Sequence, residues 1–299
     1  MMMNNLQKSA IANFFSDPKL KLVKLNEQEY MEGLIAYRSQ HDEQDMMFEA
    51  TLQAIEKHKF SQESYTILSI GCGSGLFEKP FLTKLLNLKK SIYFVGIDPN
   101  KLECVKTEEW CQELSEFQPE KFRFKIYPVE LEKLKLSQSF DLILLIHSFC
   151  YFSEIESSFQ KVYELLRAEG IAIIAIAVKT KLNEPYYSIS QRLYQRPRFF
   201  SEDLYQFFSE QNIPFYQETI EFLVNITKCF QKDSQLAKNL LDFIVGANTK
   251  YFSTSQLQIL LDYFTSNSQK LESGEIMIPN SVSLYYFQKK EEEEIKKGN

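Results

Sequence analysis

Three of the nine glycines in this chain fall within five residues, Gly71-Cys72-Gly73-Ser74-Gly75, directly behind the apolar run Thr66–Ile70. A strand that ends in such a cluster must turn sharply, because glycine enters positive φ at little steric cost. The amphipathic stretch Phe77–Leu86 follows. The loop therefore opens onto a helix N-terminus, whose first N–H groups have no partner within the helix. Such a unit lets a backbone approach a ligand closely, although a plain tight turn would use the same residues. The GxGxG spacing differs from the GxGxxG of dinucleotide sites, where the third glycine packs helix on strand.

The surrounding pattern says what this unit belongs to. Short β-rich runs occur at Thr66–Ile70, Ser91–Ile97, Phe122–Tyr127, Phe140–Ile146 and Ile171–Val178, separated by helical stretches at Phe77–Leu86, Lys101–Leu114 and Glu154–Leu166. Strands alternating with helices imply a mostly parallel sheet. Leu142–Ile146 and Ile171–Ile176 are wholly apolar, as central strands covered on both faces must be. Phe215–Ile226 and Ser281–Phe287 complete seven strands. The expected fold is α/β: a Rossmann-like, doubly wound, seven-stranded, mostly parallel sheet with helices on both faces and an added substrate-binding cap. Further helices are expected at Gln28–Arg38, Asp42–Lys57, Gln235–Val245 and Ser255–Phe264. Residues 1–60 read as an N-terminal helical segment covering the active site. Residues 61–288 read as the main domain with flap or cap insertions near 179–200 and 227–280, and residues 289–299 as a solvated charged tail. Lys179–Phe200, with its prolines and tyrosines, reads as a loop or flap, and Ser201 as the N-cap of the next helix.

Composition narrows the partners. The chain is 44% apolar, enough for a sizeable core, and carries a net charge of −6 with a pI near 5.4. That balance argues against a general nucleic-acid binder. No run reaches the ~18 apolar residues a membrane span needs, and Met1–Asp17 lacks the basic start and apolar stretch of a signal peptide. The five cysteines are scattered without a CxxC pair, which fits free thiols in a reducing compartment and no zinc site. A cytoplasmic monomer acting on a small molecule, with neither nucleic acid nor membrane as partner, is expected.

Two further signals point to the carboxyl edge of the sheet, where ligands bind in open α/β folds. The second strand ends in Asp98, whose carboxylate can accept hydrogen bonds from both hydroxyls of a ribose; Asp98-Pro99-Asn100 also suits a turn and helix cap. The fourth strand delivers Ile146, His147 and, after Ser148-Phe149-Cys150, Tyr151 to the same edge. Leu165-Leu166-Arg167-Ala168-Glu169-Gly170 precedes the fifth strand.

This order of motifs resembles the class I S-adenosylmethionine-dependent methyltransferases, over roughly residues 40–288, and within them most resembles the histamine N-methyltransferase family. The finer matches are Ile67–Gly71, Ile146-His147 with Tyr151, Ser201-Glu202-Asp203-Leu204, Lys228-Cys229-Phe230 with Leu241-Asp242-Phe243, and Asn280-Ser281. The resemblance implies a transferase that takes a methyl group from S-adenosylmethionine and releases S-adenosylhomocysteine. It implies that Gly71, Gly73 and Gly75 support the methionine part of the cofactor and Asp98 its ribose. Glu103 stands where the family has a glutamine. Val129 or Glu130 would lie beside the adenine, and Ile146 would make a backbone contact. It further implies acceptor-binding roles for Glu43, with Asp42 one residue away competing for the same place, and for Tyr151 and Asn280, with His147 replacing a family glutamine that touches substrate. Tyr187, in the aromatic segment after residue 179, is a further candidate for the acceptor site.

Methyl transfer from a sulfonium needs a nucleophile with a free lone pair, held in line with the leaving sulfur, so positioning and desolvation carry most of the catalysis. An imidazole can accept a proton near neutrality, which makes His147 a candidate base. Glu43 could anchor a cationic nitrogen. A nitrogen of a small amine or imidazole is the expected acceptor. A carboxylate, hydroxyl or protein acceptor, a nicotinamide-dependent oxidoreductase, and a cofactor-binding protein without chemistry are the alternatives. No metal-ligand cluster is evident.

Overall fold

The structure, a computed structural model, describes residues 10–57, 63–88, 90–195, 198–231 and 234–289. All but the first residue of the expected charged tail lies outside the described residues. In chain order the elements are α1 (Ala10–Ser16), α2 (Glu27–Arg38), α3 (Glu43–Lys57), β1 (Ser64–Ile70), α4 (Glu78–Asn87), β2 (Ser91–Ile97), α5 (Lys101–Phe117), β3 (Phe122–Tyr127), β4 (Phe140–Ile146), α6 (Ile155–Leu165), β5 (Leu166–Ala177), α7 (Glu184–Tyr194), α8 (Ser201–Glu210), β6 (Tyr216–Asn225), α9 (Gln235–Val245), α10 (Thr254–Ser266), β7 (Gln269–Lys270) and β8 (Ile276–Gln288).

The strands form one sheet in the order β3-β2-β1-β4-β5-β8-β6, with the short β7 paired antiparallel to β8. The pairs β1–β2, β2–β3, β1–β4 and β4–β5 are parallel. The mostly parallel, doubly wound sheet expected from sequence is thus present, with eight strands rather than seven. Its order reverses between β1 and β4, which opens a crevice at their carboxyl ends. Every residue of β4 is buried, which explains the apolar run Leu142–Ile146 that follows Asp141.

Contacts divide the chain into two compact units. One comprises the described residues among 44–176, 199–220 and 283–289. Its core is built from Leu68, Val95, Ile143, Leu145, Phe149, Phe159, Val162, Ile174, Phe208 and Tyr285, all buried. Helix α6 joins it through Phe159, Val162 and Leu165, a spacing that keeps one helical stripe on the core. The other comprises the described residues among 10–43, 177–198 and 221–282. Its helix α2 starts with a capping box, in which Asn26 and Glu29 exchange side-chain and backbone bonds. Glu29 also accepts from Asn248 Nδ2 at 2.6 Å.

Three local expectations are corrected. The segment read as a loop after residue 179 contains α7. Glu184 and Pro185 fill its first turn, where proline loses no helical hydrogen bond, so a residue that resembled a breaker is a starter. Ser201 is not the N-cap. Phe200 holds that extended position, and Asp203 Oδ2 accepts the Phe200 N–H at 2.9 Å. The Ser201 hydroxyl is drawn instead to Ser283 Oγ at 2.8 Å and Tyr285 Oη at 2.9 Å. Asn280 does not stand at the entrance to the last strand: β8 begins at Ile276 and runs through Pro279, which puts Asn280 in its interior, 4% exposed.

The acidic residue of β4 is structural. Asp141 is buried, and its Oδ2 accepts the Thr66 N–H and Oγ–H, both at 2.7 Å, while Oδ1 accepts from Arg167 Nη1 at 2.6 Å. It thereby joins β1, β4 and β5. Removing one partner of such a buried group leaves the others unsatisfied. Asp141→Ala should lower unfolding free energy by about 3 kcal/mol in urea titrations, with S-adenosylhomocysteine affinity of the folded protein unchanged.

Candidate active site

The glycine loop leaves β1 and is held from several sides. The Gly71 and Cys72 N–H groups donate to Ile97 O at 2.8 and 3.1 Å, and the Gly75 N–H closes a turn on Cys72 O at 2.9 Å. All three glycines have positive φ, +74°, +52° and +76° for Gly71, Gly73 and Gly75. Their surroundings differ. A Cβ on Gly71 would lie 2.4 Å from the Ser148 Cβ, and one on Gly75 would lie 2.4 Å from the Trp110 Nε1. A Cβ on Gly73 would meet no protein atom within 4 Å. The outer two glycines make room for neighbouring side chains, whereas Gly73 borders open space.

Asp98 ties the end of β2 to this loop. Its Oδ2 accepts the Gly73 N–H at 3.0 Å and its Oδ1 the Asn100 N–H at 2.8 Å. Burial raises its pKa, the two backbone bonds oppose that, and the nearby Glu103 adds to it. Asn100 caps α5, with its side chain accepting the Leu102 and Glu103 N–H groups. The sequence Asp98-Pro99-Asn100 is thus a helix cap as well as a presented carboxylate. Glu103 is buried and pairs with Lys106 Nζ at 2.6 Å.

At the end of β4, Ile146 pairs with Ala175 and His147 adopts φ 54°. A left-handed histidine is uncommon and is held only by its surroundings: its N–H donates to Ala175 O at 2.9 Å, and its carbonyl accepts from Cys150 Sγ at 3.4 Å. Ser148 Oγ then donates to Ile70 O at 2.5 Å. Tyr151 follows, 38% exposed. Past β3, Val129 is half-buried against the core, while Glu130 is exposed and pairs with Lys133 Nζ at 2.7 Å. All five cysteines are free thiols. Burial holds the thiol of Cys72, in the loop, well above its usual range.

In the other unit, Glu43 and Asn280, far apart in sequence, converge on Tyr37. Asn280 Nδ2 donates to the Tyr37 hydroxyl at 2.8 Å, and Asn280 Oδ1 accepts from Thr180 Oγ1 at 2.6 Å and Asn183 Nδ2 at 3.1 Å. Burial, and after it the charge of Glu43, raises the Tyr37 pKa well above normal, against the Asn280 bond that lowers it. The Tyr37 ring lies 4.4 Å from that of His41 and 5.1 Å from that of Phe243. His41 Nδ1 accepts the Glu43 N–H at 3.2 Å, so the 3.7 Å approach of Glu43 Oε2 to the same nitrogen is not a charged pair in that tautomer. Tyr187 lies on α7 and adds to the raised pKa of Tyr263, after burial and the 2.7 Å bond from that hydroxyl to Glu184. Tyr37, His41, Ser148, Thr107 and Trp110 are absent from the sequence-based candidates. Thr107 and Trp110 stand one turn apart on α5, which helical spacing alone does not distinguish from core, and His41 lies in the short connection between α2 and α3, where no periodicity singles it out.

A family model described as a methyltransferase domain matches residues 68–172, the stretch that holds the glycine loop, Asp98 and the end of β4. Over this stretch the chain is similar to methyltransferase domains. No curated protein sequence matches this chain. Among solved structures, the YcgJ protein of Bacillus subtilis is 16% identical, with a TM-score of 0.52, covering 80% of this chain and 97% of its own. The plantazolicin methyltransferase BpumL, crystallised with a triazolic desmethylPZN analogue and S-adenosylhomocysteine, is 12% identical, with a TM-score of 0.50 and coverage of 94% and 95%. These likenesses establish the fold. A Thermotoga maritima protein described as a possible histamine N-methyltransferase is 17% identical with a TM-score of 0.44, covering 88% and 95%, which supports no inference about the acceptor. Among the described residues, no helix is long and apolar enough to cross a membrane.

The residues present suit the methyl donor. Gly73 borders a space that a Cβ would enter, and Asp98 has lone pairs beyond the two backbone bonds it accepts, as a ribose diol requires. Gly73→Val should abolish S-adenosylhomocysteine binding in calorimetry with far-ultraviolet dichroism nearly unchanged, whereas Gly71→Ala, driven against Ser148, should lower Tm. Asp98→Ala should raise the Kd roughly tenfold to a hundredfold, the worth of hydrogen bonds to a charged group. Burial has raised the Asp98 pKa, so with the ionised carboxylate as acceptor, as this test supposes, affinity should fall on acidification at a higher pH than for an ordinary aspartate. Stability should move the other way: the native state favours the protonated form, so ionised Asp98 costs stability above its folded pKa, and acidification through it relieves that cost.

Proposed function

We propose that the enzyme transfers the methyl group of S-adenosylmethionine to a nitrogen of a small amine or imidazole. The observation that carries this reading is the buried Glu43 carboxylate beside the Tyr37 and His41 rings, a setting that favours a cation. The sequence resemblance to histamine N-methyltransferases supports it.

In this reading Gly71, Gly73 and Gly75 line the methionine part of the cofactor, and Asp98 accepts the ribose hydroxyls with Glu103 behind it. Val129, half-buried, suits the adenine better than Glu130, which is turned to Lys133. Ile146 contributes backbone. Glu43 anchors a positively charged nitrogen of the acceptor. Asn280 acts largely by orienting Tyr37, since its own amide is engaged on both sides. Tyr151 and Tyr187 supply aromatic surface for the acceptor. When bound, the sulfonium supplies the electrophilic methyl. An amine that arrives protonated must first lose a proton, and His147 is the base that takes it.

A screen of small amines, imidazoles, carboxylic acids and phenols with a labelled methyl donor tests the acceptor class. Label in the nitrogen compounds alone is expected; label only in carboxylates, hydroxyls or a protein would overturn it. With the best amine, Glu43→Gln should raise KM roughly tenfold to a hundredfold and leave S-adenosylhomocysteine affinity intact. His147→Gln should lower kcat with cofactor affinity unchanged, and equal kcat would remove His147 from proton transfer.

A further inference from the structure

The carbonyl groups of the glycine loop are gripped from one side. On α5, Thr107 and Trp110 stand one turn apart. Thr107 Oγ donates to Gly73 O at 2.7 Å, and Trp110 Nε1 donates to Ser74 O at 3.0 Å. Both residues are buried, Thr107 completely, so these bonds do not compete with bulk water. A trans peptide sets its C=O and N–H in opposite directions, and no cis bond occurs among the described residues. Pinning Gly73 O against α5 therefore aims the Ser74 N–H away from α5. Pinning Ser74 O likewise holds the next peptide in the turn that its N–H closes on Cys72 O. Gly73 itself borders open space. Neither polar group is required by packing: a valine would fill the volume of Thr107, and a phenyl ring much of that of Trp110. Their polar atoms are spent on the loop.

We propose that Thr107 and Trp110 are positioning residues for the cofactor, fixing the Gly73–Ser74 peptide so that its N–H is presented to the carboxylate tail of S-adenosylmethionine. This rests on the glycine loop being the cofactor site. A loop free to rotate that peptide would have to order it on binding, and the cost would appear in affinity.

The chain holds one tryptophan, so Trp110 is its own reporter. Titration of the wild-type protein with S-adenosylhomocysteine, followed by calorimetry and by tryptophan emission, should show saturable binding and a change in emission at the same midpoint. No binding by wild type would overturn the cofactor site and this proposal with it. Given wild-type binding, Thr107→Val should raise the Kd about tenfold while Tm stays near wild type, and Thr107→Ser, which keeps the hydroxyl, should bind within about twofold of wild type. A packing role predicts the reverse order, with valine near wild type and serine impaired, and that result would refute the proposal while leaving the cofactor site standing. Trp110→Phe, which keeps a ring and loses the N–H, should also raise the Kd severalfold by calorimetry. It decides the matter should Thr107→Val fail to fold, and wild-type affinity in Trp110→Phe would then count against the proposal.

Discussion

The hydrogen bond from the Gly73 N–H to the Asp98 carboxylate, 3.0 Å long, joins the ends of two adjacent parallel strands, and the candidate cofactor site is organised around it. It exists because β1 and β2 run in register to Ile70 and Ile97, so that the chain leaves both strands at the same edge. The loop then has no freedom to spare. Ile97 O holds its start, Ser148 occupies the space against Gly71, and α5 grips its carbonyls. Each fixed element leaves Gly73 as the glycine of the loop whose missing side chain would meet no protein atom within 4 Å. The burial that shapes this corner also raises the pKa of Asp98, so a carboxylate able to take a diol is kept at some expense to the apo protein.

The second unit follows a different logic. Beside its short β7–β8 ladder, it is tied together by side-chain polar contacts between elements. Asn26, Glu29 and Asn248 fix the start of α2; Asn280 links Tyr37, Thr180 and Asn183. Buried polar groups are costly unless paired, so a network of this density commits the unit to one arrangement. That arrangement holds Glu43 beside aromatic rings.

How much of this was legible in sequence follows from the range of the forces involved. The sheet was readable because each strand carries its own signal: β4 is apolar from Leu142 to Ile146 as it is buried throughout, and the glycine cluster marks where β1 must turn. Gln235–Val245 was readable to the residue, since Ser234 caps it and Gly246 ends it. The misreadings lie where a distant partner decides. Pro185 resembled a breaker until its place in a first helical turn was known. Ser201 has the right chemistry for a cap, but the hydroxyls of Ser283 and Tyr285 claim it. Asn280 precedes the expected strand Ser281–Phe287, yet it lies inside β8, which begins at Ile276. Asp98 was legible as a candidate ligand group, but its bond to Gly73 was not. Nothing local distinguishes Thr107 or Tyr37 from ordinary core.

The account stands or falls on what enters the space beside Gly73. Calorimetric titration of the purified wild-type chain with S-adenosylhomocysteine, and separately with NAD, measures this directly. The structure predicts saturable binding of S-adenosylhomocysteine at one site per chain and no heat from NAD beyond dilution. Binding of NAD with no response to S-adenosylhomocysteine would contradict it.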